Sequence, residues 1–209
     1  LRHVGIAPSK ELLRLVKLMQ QHRGLSAASL GGNMAMEAQR AAKQAEADKA
    51  VKVVDEIVTS GVRDPAPAVA WSKILRAWGA LANDVSLRSI PGEESFAKHT
   101  ALIGDTLKLL DLLVDYFSLS NNPSDNSTYH LTMALLVHMP ILTEFLGQAR
   151  ARGVLLLSVK RIALADRTAL IGLISNVERQ HEYMARELDK AQALNPQMKT
   201  RLGTIAPES

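Results

Sequence analysis

Along the chain apolar residues recur at spacings of three and four, the period of a helix with one buried face, and nowhere do they alternate with polar ones for long enough to suggest a strand. The first such run, LLRLVKLMQQHRGLSAA from Leu12 to Ala28, puts Leu12, Val16, Met19 and Ala27 on one stripe. Pro8 and Ser9 precede it, with Ser9 available as an N-cap, and Gly31-Gly32-Asn33 follow, so the pattern predicts a helix over about 9–30. An alanine-rich, charged helix is expected over 34–60, ending at Gly61, before the connector Asp64-Pro65-Ala66-Pro67. A third helix over 68–85 repeats Trp71, Ile74 or Leu75, Trp78, and Leu81 or Ala82, and its two tryptophans read as core rather than as a ligand-stacking pair. The fourth, over 93–117, opens on Glu93 and Glu94 and carries Phe96, Ile103, Leu107, Leu110, Val114 and Phe117 near a heptad seam.

A polar loop is expected over Ser118–Asn126, followed by a helix over 127–159 that Pro140 should kink. Asp166 is placed to cap a last helix over 166–194, where Leu170, Ile174, Val177, His181, Met184, Leu188 and Ala191 form a seam. Six long helices imply an all-α, elongated antiparallel bundle, with room for two stacked four-helix layers that share long helices. The whole chain, 1–209, is read as one sensor domain.

Composition narrows this picture. Hydrophobic residues make up 47% of the 209, enough for a sizeable core, and the 4% aromatic content favours helix over sheet. With no cysteine, thiol chemistry and cysteine-ligated metals are excluded. The net charge of +4 is diffuse, without a run of about five basic residues, so nucleic acid is not an expected partner. No segment reaches the roughly 20 uninterrupted apolar residues that span a bilayer. The chain opens on Leu1, which reads as a fragment of a larger signalling protein whose membrane anchor lies outside it. The expected setting is extracytoplasmic, with a cytoplasmic one as the alternative, and the long helices suggest a homodimer.

The residue that does not fit its surroundings is Arg23, in the middle of the first apolar stripe, with Gln20 one turn earlier and Gly24 beside it, where a missing side chain admits a close approach. A buried guanidinium needs a counter-charge, which either the protein or a ligand supplies. A second stretch, LGQARARG at 146–153, repeats the Arg-Gly step. On a wheel Leu142, Leu146, Ala149, Gly153 and Leu156 define its buried direction, and Arg150 and Arg152 flank that direction at about 80° on either side. Two guanidiniums converging in a bundle would repel unless a planar oxyanion such as nitrate or carboxylate lay between them. In the competing arrangement Arg23 pairs internally, for example with Glu144, and Arg150 and Arg152 face water. The histidines match no familiar metal-ligand spacing, and no nucleophile–base set or phosphate loop is present, so neither an enzyme nor a cofactor is expected.

QQHRGLSAASLGGN at 20–33 resembles the Gln-x-x-Arg-Gly-x-Ser stretch of nitrate- and nitrite-sensing (NIT) domains, and LGQARARG resembles the Leu-Gly-Gln-x-Arg-x-x-Gly stretch of their later helix. The resemblance implies an all-helical sensor in which an arginine from each stretch holds the anion, by position Arg23 and Arg150. Wheel geometry keeps Arg152 beside Arg150, and Gln20, Gly24 and Ser26 complete the expected binding set. His22 stands where many relatives carry glutamate. The implied function is recognition of nitrate or nitrite and transmission of a helix shift to a separate output module. A chemoreceptor domain for a carboxylate, and a structural or partner-binding bundle, are the alternatives.

Overall fold

The computed structural model describes residues 2–119, 126–159 and 162–203, and among them every regular element is helical. α1 (Arg2–Leu30) leads through a 3-10 turn (Met34–Met36) into α2 (Glu37–Gly61), followed by α3 (Pro65–Ser86) and α4 (Gly92–Tyr116). α5 (Asn126–Thr132), a π-helical turn (Met133–His138) and α6 (Met139–Val159) run on as one rod, and α7 (Leu164–Leu194) and the short α8 (Gln197–Gly203) follow. The all-α bundle that the periodicity predicts is therefore the fold. Most of the expected polar loop, residues 120–125, lies outside the described residues.

Local chemistry sets several of the ends. At the close of α1, Gly32 takes a φ of 106° and the Asn33 N–H reaches back to the Ala28 carbonyl at 3.0 Å, a left-handed stop that glycine adopts without strain. Asp64 caps α3 by accepting the Ala66 N–H at 2.9 Å, with Pro65 opening the helix where a missing N–H costs nothing. α1 starts earlier than the sequence pattern suggests. Pro8 lies inside it, and Ser9, expected as the cap, instead donates its hydroxyl to the Gly5 carbonyl at 2.9 Å. Tertiary packing overrides the local stop signal here: a Cβ on Gly5 would lie 2.5 Å from Phe117 Cβ, so the first turns are pressed against the end of α4. α7 likewise begins at Leu164, two residues before Asp166, whose carboxylate reaches back to accept the Ala163 N–H at 3.1 Å. The irregularity expected at Pro140 takes the form of the π turn just before it, where the proline ring crowds the preceding turn and offers no N–H.

α1 to α4 form a four-helix unit. Its core holds Leu12, Leu15 and Met19 from α1, Val54 and Val58 from α2, Trp71, Ile74 and Trp78 from α3, and Ile103, Leu109 and Leu113 from α4. Both tryptophans are core residues, and each indole N–H is satisfied at 2.8 Å by an α2 carboxylate, Asp55 for Trp71 and Asp48 for Trp78. The rod packs against α1 and α4, and α7 packs along the rod. The second layer thus consists of a helical hairpin, the rod and α7, leaning on a complete four-helix unit. His181, expected on the α7 seam, is exposed, because the packed side of α7 is carried by residues such as Ala191 rather than by the full heptad row. Within Asn126–Val154 of the rod an 18-residue window reaches a mean hydropathy of 1.3, so this helical stretch is long and apolar enough to cross a membrane by length and composition alone.

Truncating the four-helix core should be costly. Ile103→Ala is expected to lower the free energy of unfolding by about 2–5 kcal/mol in urea titrations, from lost transfer energy plus a cavity. Lys108→Ala, on the exposed side of the same helix, should change it by less than about 0.5 kcal/mol.

Candidate functional site

Three helices converge on Arg23. α1 carries Gln20 and Arg23 one turn apart, α4 supplies Phe96 and Thr100, and α6 supplies Glu144, Gly147 and Gln148. The Arg23 side chain is fully buried and forms a two-pronged pair with Glu144: Nη1 donates to Oε1 at 2.6 Å and Nη2 to Oε2 at 3.1 Å. Nη1 also donates to Thr100 Oγ1 at 3.0 Å, and the guanidinium lies 5.4 Å from the centre of the Phe96 ring. The Glu144 carboxylate accepts two further bonds, from Gln20 Nε2 at 3.0 Å and Gln148 Nε2 at 2.8 Å. Gly147 explains itself in this setting: a Cβ there would stand 2.9 Å from Arg23 Nη2, so the guanidinium lies against α6 only because that position has no side chain. Arg23 Nε is buried with no hydrogen-bond partner.

This arrangement turns α6 away from the orientation its apolar residues suggest. Advancing about 100° per residue, Pro140, Glu144, Gly147 and Ala151 share one direction, roughly opposite to that of Leu142, Leu146, Ala149 and Gly153. Pro140, Glu144 and Ala151 are buried, whereas on the face expected to be buried Leu146 is half exposed and only Leu156, near the end of the helix, is buried. The face with small residues and one carboxylate is the one pressed inward, because Gly147 and Ala151 permit close approach and Arg23 compensates the buried charge.

Of the residues singled out from the sequence, the structure brings Arg23 and Gln20 together through Glu144. Gly24 has open space rather than a neighbour where its Cβ would be, and lines a half-open cavity of about 480 Å³ with Gln21, Asn33, Lys43 and Arg150. Arg150 is exposed there. Arg152 donates to Asp166 at 3.0 Å and lines a second cavity, of about 800 Å³, with Glu93, Phe96 and Leu156. Ser26 is buried on the His22 side of α1, its hydroxyl 3.5 Å from His22 Nδ1. The counter-charge facing Arg23 in the structure is Glu144, as in the competing arrangement, but Arg152 is engaged by Asp166 rather than facing water. Thr100, Phe96, Gly147 and Gln148 were not singled out. The last two lie inside the quoted LGQARARG stretch, while Phe96 reads only as an α4 seam residue and nothing in the α4 sequence marks Thr100.

His22, on the neighbouring position about 100° around the helix, faces a different compartment and is wholly buried. Arg40 Nη1 can only donate, so His22 Nε2 accepts from it at 3.2 Å. That leaves His22 Nδ1–H to donate to His99 Nε2 at 2.8 Å, and His99 Nδ1–H to the Ser95 carbonyl at 2.7 Å. Both imidazoles are thus satisfied as neutral groups. Burial, then His99 and the Arg40 guanidinium, bring the His22 pKa down to about 3. Burial is also the main cause for His99, at about 4, with a smaller push from Arg23. Arg40 is held in turn by Glu37, whose carboxyl is lowered to about 2 by the Arg40 and Ser29 hydrogen bonds. Among the described residues no group of His, Asp and Glu side chains is arranged to hold a metal ion.

Fold and site define a helical bundle in which one buried cation joins the first helix to the later rod. The chain belongs to the nitrate and nitrite sensing domain family, whose model matches residues 14–205. Among solved structures it is similar to the NasR transcription antiterminator, with a TM-score of 0.73 and 21% identity, over 95% of this chain and 52% of that one. At that identity the likeness establishes the fold, and this chain spans about half the length of the antiterminator chain. No curated protein matches the chain.

The histidine pair gives the bundle a pH signature. An unfolded histidine takes up a proton near pH 6.5, whereas both folded imidazoles resist it down to about 4 and 3. Because the folded values are the lower ones, this stabilisation is complete above about pH 6.5 and is lost as pH falls toward 4 and below. Melting temperatures followed by circular dichroism should fall steadily between pH 6.5 and 4.5. The double variant His22→Gln, His99→Gln should show a flatter profile over that window, and an unchanged slope would refute the assignment.

Proposed function

We propose that this domain binds nitrate or nitrite and reports the bound anion as a change in how α1 packs on the rod. The observation that carries the reading is the Arg23 guanidinium, fully buried where α1, α4 and α6 meet and still holding one unpaired donor, Nε. A cation in that position makes the packing of two layers depend on which anion faces it. Membership of the nitrate and nitrite sensing family supports nitrate or nitrite as that anion. Arg150 has no carboxylate partner among the described residues and stands exposed beside the Gly24 cavity, where it can draw an anion toward the junction, ahead of Arg152, which Asp166 already engages. Bound anion shifts the population toward the geometry it contacts better, and an output module beyond these residues reads the shift. The role is recognition without chemical conversion of the ligand. Sensing of a carboxylate is the second reading, favoured by the Glu144 carboxylate to which Arg23 already donates.

The exposed side of α7 supports assembly of two copies. Leu164, Ile171 and Ile174, at 79%, 63% and 54% exposure, follow one another at spacings of seven and three. Among the described residues one chain supplies the rod and α7 to the second layer. Two such hairpins related by a two-fold axis would make a four-helix bundle with this seam inside.

Millimolar nitrate should raise the melting temperature in a buffer low in chloride and sulfate, since a ligand at about 100 times its Kd stabilises the folded state by about 2.7 kcal/mol. Arg23→Ala should retain helical content and lose the nitrate response. An unmoved midpoint for the unmodified chain would sink the reading. Sedimentation velocity should show a dimer that Ile171→Glu converts to monomer, and a monomeric unmodified chain across the concentration range would refute the assembly.

A further inference from the structure

We infer that the Glu144 carboxylate occupies the ligand's own seat, and that the anion enters by exchanging with it on Arg23. The inference rests on the oxyanion reading above and adds the seat, its donors and its selectivity. Glu144 offers Arg23 two oxygens on one trigonal carbon, Oε1 to Nη1 and Oε2 to Nη2. Nitrite, and one edge of nitrate, present the same planar fork with the same single charge. The groups around the carboxylate are all donors: the two Arg23 nitrogens, Gln20 Nε2 from α1 and Gln148 Nε2 from α6. An anion taking the place of the carboxylate would find these donors already directed at it, while Thr100 keeps hold of Nη1 and Phe96 keeps its face to the guanidinium.

Exchange, rather than addition, follows from the charge count. One buried guanidinium balances one anion, and a second negative charge in the same dry junction would be uncompensated. Glu144 therefore has to leave Arg23 as the ligand arrives. Because Arg23 belongs to α1 and Glu144 to α6, the exchange replaces a direct bond between the two helices with one that runs through a diffusible ion. Glu144 is then a specificity-determining residue: the ligand must outcompete a carboxylate for a planar two-oxygen seat. Fork-shaped monoanions do so, whereas sulfate, a dianion, brings a second negative charge that the single buried guanidinium leaves uncompensated.

Isothermal titration with nitrate tests the exchange. Glu144→Gln keeps the volume but removes the competing charge and half of the acceptor fork, so nitrate affinity should rise at least tenfold over the unmodified chain. In the same titrations formate should compete with nitrate and sulfate should not. Unchanged or weaker affinity in a Glu144→Gln variant of normal helical content would overturn the exchange while leaving nitrate sensing standing, as would equal competition by sulfate. Failure of both the unmodified chain and the variant to bind nitrate would overturn the sensing reading and the exchange with it. A measurement on the unmodified chain guards against a variant that does not fold. Nitrate-induced infrared difference spectra with carboxyl-labelled glutamate should show a glutamate carboxylate changing environment, and binding without such a change would also overturn the exchange.

Discussion

The pairing of Arg23 with Glu144 is the constraint around which the junction between the two layers is built. Removing either charge alone would leave the other buried without compensation, a cost of about 3–5 kcal/mol in comparable cases. The surrounding sequence is accommodated to that pair rather than to hydrophobic packing. Gly147 lacks a side chain because the guanidinium lies where one would be, and Gln20 and Gln148 saturate the carboxylate from both helices. The core of α1 to α4 supplies the rigid side of the junction, since Arg23 continues the α1 stripe whose earlier residues Leu12, Leu15 and Met19 are locked in that core.

α1 also separates two kinds of buried polar chemistry. His22 and Arg23 are consecutive, about 100° apart on the helix, and point into different compartments of the bundle. On the His22 side the polar groups form a directional chain from Arg40 through two neutral imidazoles to the Ser95 carbonyl, fixed by which atoms can donate. On the Arg23 side the charge is kept and balanced. The guanidinium of Arg40 helps hold His22 neutral and that of Arg23 helps hold His99 neutral, so the two compartments influence each other through charge rather than contact. The histidine chain is complete in itself, with no donor left over. Arg23 Nε is left over.

The fold was readable from periodicity because helices with one apolar face dominate the chain, and misreadings cluster where tertiary contacts outweigh local signals. Pro8 and Ser9 look like a helix start, yet Gly5 against Phe117 carries α1 past them. Asp166 looks like a cap, yet it serves from the first turn, where it also meets Arg152. The site was half readable. Arg23 stood out on an apolar stripe, and Glu144 could be offered as a partner. The orientation of α6 could not be read, because apolar residues lie on the side away from the α1 junction and the inward face is marked by small residues and a carboxylate. A hydrophobic wheel assigns such a face to water. Arg150 and Arg152 sit near the edge whichever of the two opposite faces turns inward, so no wheel could rank them.

The exchange proposed at Glu144 bears on why a sensor would keep a buried ion pair at all. A ligand moves a two-state equilibrium only by the difference in its affinity for the two states. A site that left Arg23 unbalanced without ligand would make the free protein unstable, and a site that balanced it permanently would give the ligand nothing to change. A resident carboxylate of the ligand's own shape avoids both. The guanidinium is satisfied in either state, the number of buried charges at Arg23 stays constant, and the free energies of the two states remain within the few kcal/mol over which ligand coupling of about 1–3 kcal/mol can act. What differs is whether the anion facing α1 is tethered to α6. That single difference converts the presence of a small ion into a change in how firmly two long helices are joined.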